Sequence, residues 1–123
     1  MKQDKNKEVL SIQPDEYYQL YKKNPKLPLI DVRNPDEFMN IRAEMAKLIP
    51  LDKFMSEDPK TFMASYSIET PLYIICRSGA RSYRAAEILV QAGFQEVYNV
   101  EGGTLAWDAE GLPTAEGLPT AKG

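Results

Sequence analysis

The chain has 123 residues, 43% of them apolar, the size and balance of one soluble globular domain that buries roughly two-thirds of its unfolded surface. A formal net charge of -3 gives no general attraction for nucleic acid or an anionic membrane, so any positive field must be local. With no histidine and one cysteine, Cys–His and Ser–His–Asp catalysis, histidine-ligated metals, an internal disulfide and a resolving thiol are all excluded.

The N-terminus, MKQDKNKEVLSIQPDEY, carries charge but no apolar signal region, and no run approaches the ~18 apolar residues of a membrane helix. The expectation is a cytoplasmic protein, with a processed periplasmic form as the alternative. Glu8 to Ile12 reads as a strand, and Pro14 opens the helix PDEYYQLYKK. LPLIDV (Leu27 to Val32) is a nearly all-apolar strand, as expected where both faces are covered. NPDEF then starts a helix with Asn34 at the N-cap and Pro35 at its first position. KLIPL around Ile49 suggests a short strand, and SEDPKTFMASYS a helix capped by Ser56 or Asp58.

PLYIIC (Pro71 to Cys76) is the strongest strand signal, being short, continuous and rich in Ile and Tyr. The following helix is expected from about Ser82, with Ala85, Ile88, Leu89 and Ala92 as its apolar stripe and Gly93 as its left-handed stop. EVYNV is a last strand, and EGGTLAWDAEG a turn plus a final helix, with Trp107 in the core. Strands alternating with helices imply an α/β fold, a mostly parallel sheet of about five strands with helices on both faces. The hexapeptide EGLPTA occurs twice, at Glu110 to Ala115 and Glu116 to Ala121. A period this short builds no repeat fold. The expected organisation is one domain over residues 1–115 and a disordered tail over 116–123.

Chemistry concentrates at CRSGARSYR. A lone cysteine after an apolar strand is structural by default. Cys76, however, lies where a central strand ends, the place where ligands bind in open α/β sheets. The segment from Arg77 to Arg81 contains a glycine and leads into a helix N-terminus, a setting in which backbone N–H groups can form an anion nest. Arg77, Arg81 and Arg84 follow with no acidic residue from Pro71 to Ala86, so the thiol pKa is expected to fall and the thiolate to become available. Arg77 and Arg81 are candidates for anion contact, Ser78 and Gly79 for loop shape and hydrogen-bond donation. Arg84 suits a solvated helix face equally well. A tyrosine phosphatase loop reads C-x5-R, and here Arg81 comes one position too early. The tighter loop suits a smaller target, the outer sulfur of a sulfane donor.

CRSGARS after a strand, LIDVRNPDEF before it and NVEGGTLAWDAEGLP at the end together resemble the rhodanese family, single-domain type, over roughly Glu8 to Pro113. The resemblance implies a three-layer rhodanese-like fold and a sulfurtransferase in which Cys76 is the persulfide-forming nucleophile. Arg77, Ser78, Gly79, Ala80 and Arg81 would cradle the persulfide and the donor, with Asp31, Arg33 and Ser82 in support. It implies no metal or organic cofactor. The partners would be a small anionic sulfur donor such as thiosulfate, a thiol or cyanide acceptor, and a sulfur-relay protein. Asp31 can face the crevice or serve as a structural acceptor, and Arg33 is expected to pair with Glu37 four residues on. The chain departs from the family at IRAEMA (Ile41 to Ala46), where two glycines of the usual pattern are missing. A longer helix is expected there, with Arg42 and Glu44 on the site rim or an exposed face. Two alternatives remain: a noncatalytic persulfide carrier or redox-sensing module, and a phosphatase or arsenate reductase, disfavoured by the loop count and the missing second cysteine.

Overall fold

A computed structural model describes residues 8–118. Among the described residues, six helices and seven strands follow one another as β1 (Leu10–Ile12), α1 (Pro14–Lys23), β2 (Leu29–Asp31), α2 (Pro35–Asn40), β3 (Arg42–Ala43), β4 (Lys47–Leu48), α3 (Leu51–Ser56), α4 (Pro59–Phe62), β5 (Leu72–Ile75), α5 (Ala80–Gln91), β6 (Val97–Val100), α6 (Gly103–Ala109) and β7 (Thr114–Ala115). Five strands form one sheet in the order β1-β6-β5-β2-β4, and every pairing in it is parallel. From β2 the chain steps outward to β4, then returns to lay β5 against the other side of β2. The direction of winding thus reverses between β2 and β5, and their carboxyl ends flank the crevice that such a reversal opens.

Period-two alternation divides the apolar side chains between two cores. Leu72, Ile74 and Cys76 of the β5 segment face one side, with Ile30, Val32, Phe54 of α3 and Ala85, Ala86 and Leu89 of α5. Tyr73 and Ile75 face the other, with Leu29, Tyr17 of α1, Phe38 of α2 and Trp107 of α6. The expected α/β class is therefore the observed one. No helix among the described residues is long and apolar enough to cross a membrane.

Local signals explain several helix ends. Pro14 and Pro35 open α1 and α2, where a missing N–H costs nothing. Asp58 caps α4 by accepting the Lys60 N–H at 3.0 Å, so of the two expected caps Asp58 serves. Ser56 instead ends α3, a helix over Leu51–Ser56 that the sequence did not announce. Gly93 has φ +108 after α5, the left-handed stop expected of it.

The IRAEMA expectation is overturned. α2 stops at Asn40, Ile41 is extended, and Arg42–Ala43 form β3, paired antiparallel with β7. The backbone of β3 takes its hydrogen-bond partners from β7 instead of from neighbouring helical turns. Arg42 lies neither on the site rim nor on an exposed face. Its side chain is buried, lies over the Phe38 ring at 4.6 Å, and donates from Nη1 to Phe38 O and Gly117 O at 3.0 and 2.7 Å. Glu44 is exposed. The first EGLPTA copy supplies β7, and Gly117 of the second donates its N–H to Met39 O. Of the tail expected over 116–123, residues 119–123 lie outside the described residues.

Candidate active site

Cys76 directly follows β5, and the segment after it turns at Gly79, whose φ is +118. That left-handed conformation is open to glycine at little cost and aims successive N–H groups inward. α5 then begins at Ala80, two residues earlier than expected. Ala80 and Arg81 are therefore helical, and the loop proper is Arg77, Ser78 and Gly79. The helix starts without a side-chain cap, which leaves its first N–H groups and the positive end of its dipole directed at the sulfur.

Cys76 is 1% exposed. Its Sγ accepts from the Gly79 N–H at 3.1 Å and from the Ser82 hydroxyl at 3.2 Å. Burial pushes the thiol pKa up. The Ser82 hydroxyl, together with the N–H groups of Ser82, Gly79 and Ser78, outweighs it, and the net shift is downward. The direction agrees with the sequence expectation. The chief cause is the hydrogen-bonding cradle rather than the arginines credited from sequence.

A second helix end completes the floor. At the N-terminus of α6, Thr104 donates to Cys76 O from both its N–H (2.8 Å) and its hydroxyl (3.0 Å), and the Leu105 N–H donates to Arg77 O. The approach is so close that a Cβ on Gly103 would stand 2.5 Å from both Cys76 O and Arg77 O. Gly103 also has φ +59, so backbone conformation and space both require glycine.

The expected Arg33–Glu37 pair does not form. Arg33 folds back on Asp31 through Nε and Nη2, between 2.9 and 3.2 Å, and also donates to Ile41 O. Both side chains are almost wholly buried. Val32 and Arg33 leave β2 in a turn that brings the guanidinium over the strand end, whereas Glu37 projects from α2 toward α5. There it accepts two hydrogen bonds from Arg81, at 2.7 and 2.9 Å. Arg84 pairs loosely with Glu87 at 3.6 Å on the surface. Arg77 is exposed and has no ion-pair partner among the described residues. A cleft of about 220 Å³ opens beside the loop, lined by Arg33, Glu37, Ile41, Arg77, Thr104 and Asp108 among others.

Two participants escaped the sequence reading. Thr104 carries no signal beyond following EGG. Asn99 did offer one, as a polar residue in the strand VYNV; it is 4% exposed and bonds to both Ser82 and Gly79.

Comparison with known proteins bears on this arrangement. A family model described as the Rhodanese-like domain matches residues 13–110. A sulfurtransferase of Allochromatium vinosum is 39% identical over 88 residues, covering 69% of this chain and 75% of that protein. The thiosulfate sulfurtransferase GlpE of Vibrio cholerae is 34% identical over 85 residues, covering 69% of this chain and 76% of that protein. Among solved structures, the polysulfide-sulfur transferase homodimer of Wolinella succinogenes superposes with a TM-score of 0.71 at 30% identity, covering 88% of this chain and 79% of that one.

Proposed function

This chain belongs to the rhodanese family and is a sulfurtransferase, and from that premise we propose that it carries sulfane sulfur as a persulfide on Cys76, with thiosulfate as a donor. The observation that carries the proposal is the cradle. Cys76 is buried, 1% exposed; its sulfur receives the Gly79 N–H and the Ser82 hydroxyl, and its pKa is lowered in spite of burial. Such donors stabilise an anion at the position of Sγ.

In the first half-reaction the Cys76 thiolate attacks the outer sulfur of thiosulfate. The new Sγ–S bond forms as the donor's S–S bond breaks, and sulfite leaves with the bonding pair. In the second, cyanide or an acceptor thiolate attacks the outer sulfur of the persulfide, the Sγ–S bond breaks, and the Cys76 thiolate returns. Splitting the transfer in two is nucleophilic catalysis. Arg77, at the exposed edge of the loop, attracts the anionic donor. Arg81 adds positive potential from α5 while held by Glu37, and Asp31 with Arg33 braces the end of β2 beside the loop.

Intact mass of the protein and of Cys76→Ser, after thiosulfate and then cyanide, tests this. The expected result is one added sulfur on the native chain, removed by cyanide, and none on a normally folded Cys76→Ser. An unfolded variant would mark the cysteine as structural. A second reading, a carrier loaded by a partner protein, is favoured by one observation: Glu37 engages Arg81, leaving one fewer guanidinium to meet a doubly charged donor. Loading from a persulfide donor but not from thiosulfate would select it.

A further inference from the structure

Ser82, at the start of α5, stands among more acceptors than it can serve. Its Oγ lies 2.5 Å from Asn99 Oδ1, 3.2 Å from Cys76 Sγ and 3.2 Å from Gly79 O. A hydroxyl has one proton to give. Gly79 O already receives the Tyr83 N–H and Asn99 Nδ2, each at 3.1 Å, which fills its two lone pairs. That contact also orients the Asn99 amide. Turned over, its Oδ1 would face the Gly79 carbonyl, acceptor against acceptor. Asn99 therefore presents Oδ1 to Ser82, and the Ser82 proton has two destinations left, sulfur and amide oxygen.

We propose that the Ser82 hydroxyl is a one-proton toggle between Cys76 Sγ and Asn99 Oδ1, and that Asn99 is a positioning residue which takes the proton whenever the negative charge is off Sγ. The sulfur-loaded half of this rests on the reading of Cys76 as a persulfide carrier. When Cys76 is a thiolate, charge assistance draws the hydroxyl to sulfur, and buried Oδ1 gives up its donor. When Sγ is a neutral thiol, or is bonded to an outer sulfur that carries the charge, it is a weak acceptor and the proton turns to Oδ1. Asn99 thus favours the loaded state and restrains the thiolate, which keeps both half-reactions passable. A cradle built only for the thiolate would resist taking sulfur.

The charged groups around Sγ come from several elements. They are Arg81 of α5 with its partner Glu37 of α2, Arg77 of the loop, and the Asp31–Arg33 pair at the end of β2. From β6 and α6 come Asn99 and Thr104, neither of which titrates. Glu101 is turned to β1, where it accepts from Ser11. The toggle leaves all of these charges unchanged, so Asn99 can be altered without altering the field.

The rate of carbamidomethylation by iodoacetamide against pH reports the thiolate without any sulfur donor. In Asn99→Leu the strong competing acceptor is gone, and the freed Gly79 lone pair is a poorer substitute for it than a thiolate. The midpoint is expected to fall by roughly half a unit or more, about what one buried hydrogen bond is worth. Ser82→Ala should raise it. In the Ser82→Ala background Asn99→Leu should have no effect, because Asn99 acts through the hydroxyl. Where the native chain loads, the persulfide fraction at a fixed thiosulfate-to-sulfite ratio should drop several-fold in Asn99→Leu. An unchanged or raised midpoint in Asn99→Leu, or the same shift with and without Ser82, overturns the toggle. If Asn99→Leu does not fold, Asn99→Ala serves in its place. Should the native chain never take up sulfur, the carrier reading fails, and the alkylation profiles still decide the toggle.

Discussion

Glu37 and Arg81 close two hydrogen bonds across the gap between α2 and α5, and a third reaches Glu37 from the Asn34 N–H. Arg81 is the main reason that the Glu37 carboxyl is held down to about 2 from an ordinary 4.5, against a smaller upward push from burial. The folded value lies below the unfolded one, so this carboxylate stabilises the fold above pH 4.5 and stops doing so as the pH falls through about 2. Glu37→Gln is expected to cost about 1 kcal/mol near neutral pH, a modest sum because the pair is partly exposed. The gap between the two urea midpoints should close between pH 4.5 and 2. A gap that persists at pH 2 would assign the cost to packing. In the sequence the charges of this pair were plain but their pairing was not, because 44 positions separate the partners while Arg33 stood only four away. Local spacing favoured the wrong base.

Two helix N-termini meet at the loop: the N-cap Gly79 and Ser82 of α5 direct N–H groups to Sγ, and α6 delivers them to the carbonyls of Cys76 and Arg77. The loop is fixed from both sides by backbone, so its geometry tolerates side-chain change better than it tolerates bulk. Gly103→Ala tests this. It places a methyl group 2.5 Å from two carbonyl oxygens at a φ of +59, and should cost about 2 kcal/mol or more. Iodoacetamide should also react with the surviving folded protein at a changed rate. Wild-type stability together with wild-type reactivity would show the contact to be slack. At this scale the sequence revealed the helix starts marked by Pro14 and Pro35 and the stop at Gly93. It missed the early start of α5, because Gly79 opens that helix through conformation and not through a capping side chain. It mistook IRAEMA for helix, because the partner that makes it a strand, Thr114–Ala115, lies some seventy residues on.

Over the whole molecule, the alternation of strands and helices announced the class, and the two-sided burial of β2 and β5 announced a covered parallel sheet. Strand order was beyond such patterns. Nothing in LIDV or YIIC states that the two lie side by side, and their adjacency is what makes the crevice. Asp31 sits there with its carboxylate fully buried against Arg33, which in turn holds Ile41 O, so the end of β2 is tied to the end of α2. Breaking a buried pair strands a charge, and Asp31→Ala is expected to cost about 3–5 kcal/mol. Thermal unfolding measures it. A loss below about 1 kcal/mol would mean that water reaches Arg33 freely.

The depth of Cys76 has a consequence for how the molecule is read by others. Empty, the residue is 1% exposed and shows a visitor almost nothing. Loaded as proposed, it would carry a second sulfur about 2 Å beyond Sγ, an anion reaching out of the cradle. A passing acceptor would then meet a recessed thiol on one form and an extended anion on the other, and occupancy would become visible from outside.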